Sequence, residues 1–97
     1  MEQSKSVLIL GGSGQAGGDA AALLRRWHPA LPLTIAGRDI DRAQRTADGL
    51  GAATAVTIDL RRSDLGLPAH HRYSAVVAAL WDDHLNGLHY AQHRGLP

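Results

Sequence analysis

The sequence predicts an α/β fold in which about four parallel strands form one sheet with helices on both faces. Three observations lead to this fold. Short apolar runs alternate with segments whose apolar residues recur at helical spacing. The runs are continuous and rich in Val, Ile, Leu and Ala, which is typical of strands covered on both faces. Glycines cluster directly behind the first run, where a strand would turn into a helix.

The first strand and helix are the most clearly marked elements. Val7–Leu10 is a short apolar run of β-branched residues and leucine. From Ala16 to Trp27 the apolar residues keep helical spacing, until Pro29 and Pro32 stop the helix. The sequence therefore opens with a strand–turn–helix unit.

A second unit of the same kind follows. Leu33–Ala36 predicts the second strand, and Asp39 or Asp41 can cap the helix behind it. Gly51 is placed to close that helix as the residue just past its end. Ala53–Ile58 then predicts a third strand.

The last third of the chain is less regular. Residues 60–72 contain a possible short helix, which glycine and proline interrupt. Residues 75–80 read AVVAAL and predict a fourth buried strand. Asp82 or Asp83 can open a final helix, which Gly95 and Pro97 end.

The glycine cluster has a functional interpretation in this setting. Residues 7–17 read VLILGGSGQAG, and Gly12, Gly14 and Gly17 form the pattern G-x-G-x-x-G between a strand and a helix. Such glycines allow a tight turn, close approach of a pyrophosphate, and close packing of the helix. The alternative is a purely structural turn. The predicted phosphate-contacting residues are Gly11, Gly12, Ser13, Gly14, Gln15, Ala16 and Gly17.

This pattern predicts a three-layer, Rossmann-type fold whose sheet has the strand order 3-2-1-4. It also predicts that the ligand is a nicotinamide dinucleotide. An NAD site would place an acidic residue at the end of the second strand, at Ala36 or Gly37. Arg38 follows instead, and a guanidinium can pair with a 2′-phosphate. Arg42 is a second candidate. The sequence therefore favours NADP over NAD, unless Arg38 is an ordinary exposed arginine.

Two further residues complete the predicted cofactor site. Asp59 and Leu60 follow the third strand, where the adenine edge would lie. An equally good interpretation is that Asp59 only ends the strand and does not contact the cofactor.

The residues also resemble a known family. VLILGGSGQAG, then LTIAGRDIDRAQRTADGLGA, then AVTIDL resembles the N-terminal NADP-binding domain of saccharopine dehydrogenase-like reductases. The pattern from Ala36 to Gln44 is its most specific part, and the resemblance covers roughly residues 5–80. It implies a Rossmann domain that presents the cofactor to a second domain, with Gly12, Gly14, Gly17 and Arg38 as cofactor contacts.

The chain departs from that family in two places. Residues 78–83 replace a small-residue turn, often Gly-Pro, near the nicotinamide ribose. We expect residues 1–97 to form one dinucleotide-binding domain, and the sequence stops where the family would begin a fifth strand. We therefore expect no substrate domain, no assignable catalytic residue, and an exposed edge from Ser74 to Leu80 that pairs two chains into a homodimer.

Composition excludes several other functions. The net charge is +1 and there is no cysteine, which argues against nucleic-acid binding and against thiol or disulfide chemistry. His84, His89 and His93 lack a clear further ligand, so we predict no metal site. The one lysine, Lys5, rules out the Tyr-x-x-x-Lys spacing of short-chain dehydrogenases. No apolar run is long enough for a membrane span, and we expect a cytoplasmic location.

The sequence thus predicts the NADP(H)-binding domain of an oxidoreductase, with this chain alone catalytically incomplete. Two alternatives remain open. The chain can be a module that senses the nucleotide without catalysis, or a protein-interaction module with the same fold. Trp27 and Trp81 are expected to pack in the core rather than to contact a base.

Overall fold

The computed structural model of the protein describes residues 5–97. Strands and helices alternate through the first half of the chain, and one helix follows the last strand. The elements are β1 (Ser6–Leu10), α1 (Gln15–Trp27), β2 (Leu33–Gly37), α2 (Ile40–Leu50), β3 (Ala53–Thr57), β4 (Tyr73–Ala78) and α3 (Asn86–His93).

The four strands form one parallel sheet in the order β3-β2-β1-β4. Ile9 on β1 pairs with Ile35 on β2 and with Val77 on β4, so β1 is central. The predicted fold class and strand order are therefore confirmed. All four carboxyl ends meet at one edge of the sheet, where ligands bind in folds of this kind.

Each face of the sheet has its own apolar core. On one face Ile9 and Ile35 pack with Ala21 of α1 and with Ala47 of α2. On the other face Leu8 and Leu10 pack with Tyr90 of α3 and with Leu65 from the segment between β3 and β4. Because β1 is fully covered on both faces, it carries a continuous apolar run rather than an alternating one.

Within the described chain, residues 59–72 form turns where a short helix was possible. Two carboxylates hold these turns by accepting main-chain N–H groups: Asp59 from Arg61 at 2.9 Å, and Asp64 from Gly66 at 2.8 Å. Leu65 and Gly66 both adopt positive φ, which a helix does not allow. Leu65 is nevertheless fully buried, so the segment is fastened to the core by its side chains.

The last strand and helix differ from their predicted bounds. β4 begins at Tyr73, two residues earlier than predicted, and ends at Ala78. α3 begins only at Asn86, because Leu85 before it adopts a left-handed conformation with φ of 55°. Asp82 still reaches the helix, since its Oδ2 accepts a hydrogen bond of 2.7 Å from the N–H of Gly87.

The outer edge of β4 is met by the chain itself. The N–H of Val76 donates a 2.8 Å hydrogen bond to the main-chain oxygen of Pro97. Leu96 packs against the core on the α3 face. The edge predicted to be free is therefore contacted at its centre by the segment after α3.

Arg25 joins several segments at the opposite end of the sheet from the carboxyl ends of the strands. Its guanidinium donates hydrogen bonds of 2.6–3.3 Å to six main-chain carbonyls near the ends of α1 and α2. The acceptors are His28, Pro29, Leu31, Leu50, Gly51 and Ala52. Carbonyls at helix ends lack partners within the helix, and this one side chain supplies them.

No helix in residues 5–97 has the length and apolar character needed to cross a bilayer. The two tryptophans do not pack as predicted: Trp27 is 67% exposed and Trp81 is 84% exposed.

Candidate functional site

A cleft of about 840 Å³ runs along the carboxyl ends of all four strands. This volume is typical of small-molecule sites. Neighbouring strands lie about 4.8 Å apart, so the cleft extends roughly 14 Å from β3 to β4. Its lining residues are Gly11, Ser13, Gly14, Gly37, Arg38, Asp39, Arg42, Ile58, Leu60, Arg61, Ala79, Leu80, Trp81, Asp82, Asp83 and His84.

The glycine turn forms the middle of the cleft, between β1 and α1. Gly11 has φ of 79°, a conformation that favours glycine, and a Cβ there would lie 2.8 Å from the carbonyl oxygen of Ala79. Gly17 is buried because α1 packs directly on the turn: a Cβ on Gly17 would lie 2.1 Å from the oxygen of Gly11. Both glycines are therefore required by geometry.

The amino end of α1 opens onto this turn. Gly14 is the N-cap residue and has no side chain to accept from the first-turn N–H groups. Those groups have no acceptor within the helix, and the helix dipole adds partial positive charge. The arrangement provides donors for an anion at the centre of the cleft.

Two arginines border the cleft beyond β2. Arg38 and Arg42 are exposed, and neither guanidinium group has a hydrogen-bond or ion-pair partner among residues 5–97. Asp39 lies between them, but its Oδ1 accepts from the N–H groups of Asp41 and Arg42 at 3.1 and 3.2 Å. That carboxylate caps α2, which leaves the guanidinium groups as the free charges at this end.

The end of β3 contributes Leu60 and Arg61 to the cleft. Asp59 is not among the lining residues. Its carboxylate accepts from Nε of Arg61 at 3.0 Å and from Nη2 at 3.2 Å. These hydrogen bonds hold the pKa of Asp59 below its usual range. Arg61 thus adds a third, partly neutralised guanidinium to the arginine end of the cleft.

The segment after β4 closes the other end. Trp81 is exposed, and its indole N–H donates to Oδ1 of Asp83. Asp82 is held by Gly87, while its Oδ1 is buried and has no hydrogen-bond partner among the described residues. This end of the cleft therefore carries an aromatic ring and two carboxylates.

The structure brings together six of the eleven residues predicted to contact the cofactor: Gly11, Ser13, Gly14, Arg38, Arg42 and Leu60 line one cleft. Gly12 and Gly17 are buried in the turn that shapes it. Gln15 and Ala16 are exposed on α1 outside the lining, and Gln15 donates to Asp19 at 3.2 Å.

Sequence reasoning missed Arg61 and the segment Trp81–His84 as cleft residues. Their position directly after β3 and β4 was an available signal, because all parallel strands deliver their following residues to the same edge. In the described part of the chain, no three His, Cys, Asp or Glu side chains are grouped so that they could hold a metal ion.

Comparison with solved structures identifies similar folds. A protein described as a short chain dehydrogenase/reductase family protein matches 65% of this chain and 26% of its own, with 28% identity and a TM-score of 0.55. A 3-hydroxyacyl-CoA dehydrogenase type-2 from Mycobacterium avium matches 93% of this chain and 47% of its own, with 22% identity and a TM-score of 0.68.

A ribose-5-phosphate isomerase from Brucella melitensis matches 80% of this chain and 32% of its own, with 20% identity and a TM-score of 0.60. This chain thus spans from about a quarter to about half the length of these three structures. No protein-family model matches the chain. No curated protein matches it either. The likenesses establish a Rossmann-like α/β fold, which serves more than one chemistry among these structures.

Proposed function

We propose that this chain binds a nicotinamide dinucleotide in the cleft, NADP(H) in preference to NAD(H), as the nucleotide-binding part of an oxidoreductase. The observation that carries the proposal is the placement of Arg38 and Arg42. Both lie on the same cleft as the glycine turn, and both lack an acidic partner among the described residues. A 2′-phosphate would supply that partner.

The pyrophosphate would lie at the amino end of α1, where first-turn N–H groups and the dipole favour an anion. Ser13 adds a hydroxyl on the cleft wall. The adenosine half would extend toward Arg38, and Leu60 offers an apolar contact to the base. The nicotinamide half would extend toward β4.

The oxidoreductase assignment is supported by two dehydrogenases among the similar structures. The narrower family, the saccharopine dehydrogenase-like reductases, is supported by the sequence pattern around Gly37, Arg38 and Asp39. The cofactor would supply the hydride, and the residues of this chain would bind and orient it. We further propose that residues 1–97 alone turn over no substrate and reside in the cytoplasm.

Thermal unfolding with NADP⁺, NAD⁺ or neither tests the proposal. Both nucleotides are used at one concentration, 100-fold above the dissociation constant of NADP⁺, at which the free energy of unfolding should rise by about 2.7 kcal/mol with NADP⁺. We expect this increase with NADP⁺, a smaller one with NAD⁺, and loss of the difference in Arg38→Ala. Arg45→Ala is the matched control, because Arg45 is exposed on α2 and does not line the cleft.

Equal stabilisation by both nucleotides would leave dinucleotide binding in place but remove the preference for NADP. No stabilisation by either nucleotide at millimolar concentration would contradict the proposal as a whole. That second result would favour the interpretation of the glycine turn as a purely structural connection.

A further inference from the structure

Charge is unevenly distributed along the cleft. Its three arginines, Arg38, Arg42 and Arg61, all follow β2 or β3. The segment after β4 brings Asp82 and Asp83 and contains no lysine or arginine. Because β3 and β4 are the two edges of the sheet, the arginines lie at the opposite end of the cleft from Asp82 and Asp83. Asp39 also lies at the arginine end, where its carboxylate caps α2.

Trp81 lies at the acidic end and is 84% exposed. An indole this exposed contributes little to the core, so packing does not account for its position. Its N–H donates to the carboxylate of Asp83, which joins the ring and a negative charge into one unit. An aromatic face beside a carboxylate is an environment that stabilises a cation.

The acidic segment is fastened to the body of the protein. Asp82 accepts the N–H of Gly87 at 2.7 Å. Gly87 in turn lies so close to β1 that a Cβ on it would be 2.8 Å from Cδ1 of Leu10. The negative charge of Asp82 is therefore fixed at the end of β4, next to the central strand.

The proposed binding mode determines which half of the nucleotide meets this segment. With the pyrophosphate at the glycine turn and the 2′-phosphate at Arg38, the nicotinamide ring lies toward Trp81. The oxidised ring carries a positive charge and the reduced ring carries none. A carboxylate and an indole face stabilise the charged form, while the arginines contact groups that are the same in both forms.

We propose that the Trp81–Asp83 end makes this cleft selective for the oxidised nucleotide, so that NADP⁺ binds more tightly than NADPH. This inference rests on the proposed function and adds to it a preference for redox state. Tighter binding of the oxidised form means, by linkage, that the bound reduced cofactor is a stronger hydride donor than the free one.

Titration calorimetry on the full chain, with NADP⁺ and NADPH separately, measures the preference. We expect NADP⁺ to bind roughly three- to tenfold more tightly, a range that an exposed cation–π contact and a solvent-screened carboxylate can supply. Trp81→Leu and Asp83→Asn should each reduce the ratio by weakening NADP⁺ binding alone. Both side chains are exposed, so neither substitution opens a cavity in the core.

Matched controls are Trp27→Leu and Asp48→Asn. Trp27 is the other exposed tryptophan, Asp48 is an exposed carboxylate on α2, and neither lines the cleft. Both should leave the ratio unchanged. Adenosine 2′,5′-bisphosphate, which lacks the nicotinamide half, should bind wild type and Trp81→Leu equally.

The outcomes separate the two proposals. Equal affinity for NADP⁺ and NADPH would overturn the redox preference and leave the proposed function intact. Weaker binding of adenosine 2′,5′-bisphosphate to Trp81→Leu would overturn the preference by placing the adenosine half at Trp81. Absence of binding by every nucleotide would overturn the proposed function, and the preference with it.

Discussion

A Cβ atom on Gly17 would lie 2.1 Å from the carbonyl oxygen of Gly11 and 2.6 Å from its carbonyl carbon. Side-chain atoms do not approach a main chain this closely, so α1 can rest on the turn only with glycine at position 17. The same contact sets where the amino end of α1 points. It therefore connects the packing of the helix to the shape of the cleft.

Gly17→Ala should lower the free energy of unfolding by at least about 2 kcal/mol, because the added methyl group forces the turn and the helix apart. Urea unfolding measures this. Gly49→Ala is the matched control, since Gly49 lies in α2 with open space around it. That variant should gain about 0.5–1 kcal/mol from better helix propensity. Equal effects of the two substitutions would contradict the proposed packing.

Arg25→Leu should cost about 1–3 kcal/mol, because it leaves several carbonyls at the helix ends without their donor. Arg26→Leu is the control. Arg26 is next to Arg25 in the chain, is exposed, and its guanidinium has no hydrogen-bond or ion-pair partner among residues 5–97. We expect that control to change stability by less than about 0.5 kcal/mol. Chemical unfolding of both variants distinguishes a specific set of hydrogen bonds from a general effect of removing charge.

Stability should fall in alkali because of Tyr73. Burial raises the pKa of Tyr73 to about 12, whereas an unfolded chain releases this proton near pH 10. Between these values the folded protein holds a proton that the unfolded chain has lost, so stability is complete below pH 10 and declines as pH rises toward 12. Burial raises the pKa of Tyr90 as well, although Arg94 opposes the change.

The measurement is urea unfolding at several pH values between 9 and 11.5, with tyrosine ionisation followed by ultraviolet absorbance. Tyr73→Phe should flatten the alkaline decline, because phenylalanine releases no proton. An identical decline in the variant would show that Tyr73 does not titrate differently in the two states.

The homodimer predicted from the sequence remains a prediction, and the structure allows it to be tested at a defined edge. Ser74 is exposed on β4, so Ser74→Lys should place a charge on that edge and shift a dimer toward monomer. Thr57→Lys places the same charge on β3, the opposite edge, and should leave a dimer through β4 unchanged. Sedimentation of monomeric wild-type protein at high micromolar concentration would contradict the dimer, and disruption by Thr57→Lys alone would move it to β3.

The sheet could be predicted from the sequence because its information is local. β1, β2 and β3 are short apolar runs, and the glycines of the first turn mark where a parallel sheet places its central strand. Two of the three arginines of the cleft could be predicted for the same reason. Arg38 follows β2 directly, and Arg42 lies about one helical turn further along the chain.

The remaining features depend on side-chain contacts that the hydrophobic pattern does not indicate. Residues 59–72 turn because Asp59 and Asp64 take main-chain N–H groups that a helix would need. Arg25 meets carbonyls as far as 27 residues away, which no helical pattern indicates. The prediction that Trp81 packs in the core is wrong, because Trp81 lies just after β4 and is exposed on the cleft.

Arg25 also has a consequence for the energetics of ligand binding. Its six hydrogen bonds join the segments at the amino ends of the strands. The cleft lies at the opposite ends of the strands, and no cleft residue takes part in these hydrogen bonds. A ligand in the cleft would then need to order only the side chains that touch it. The conformational entropy lost on association would be confined to a few rotamers, and little binding energy would be spent on assembling the scaffold.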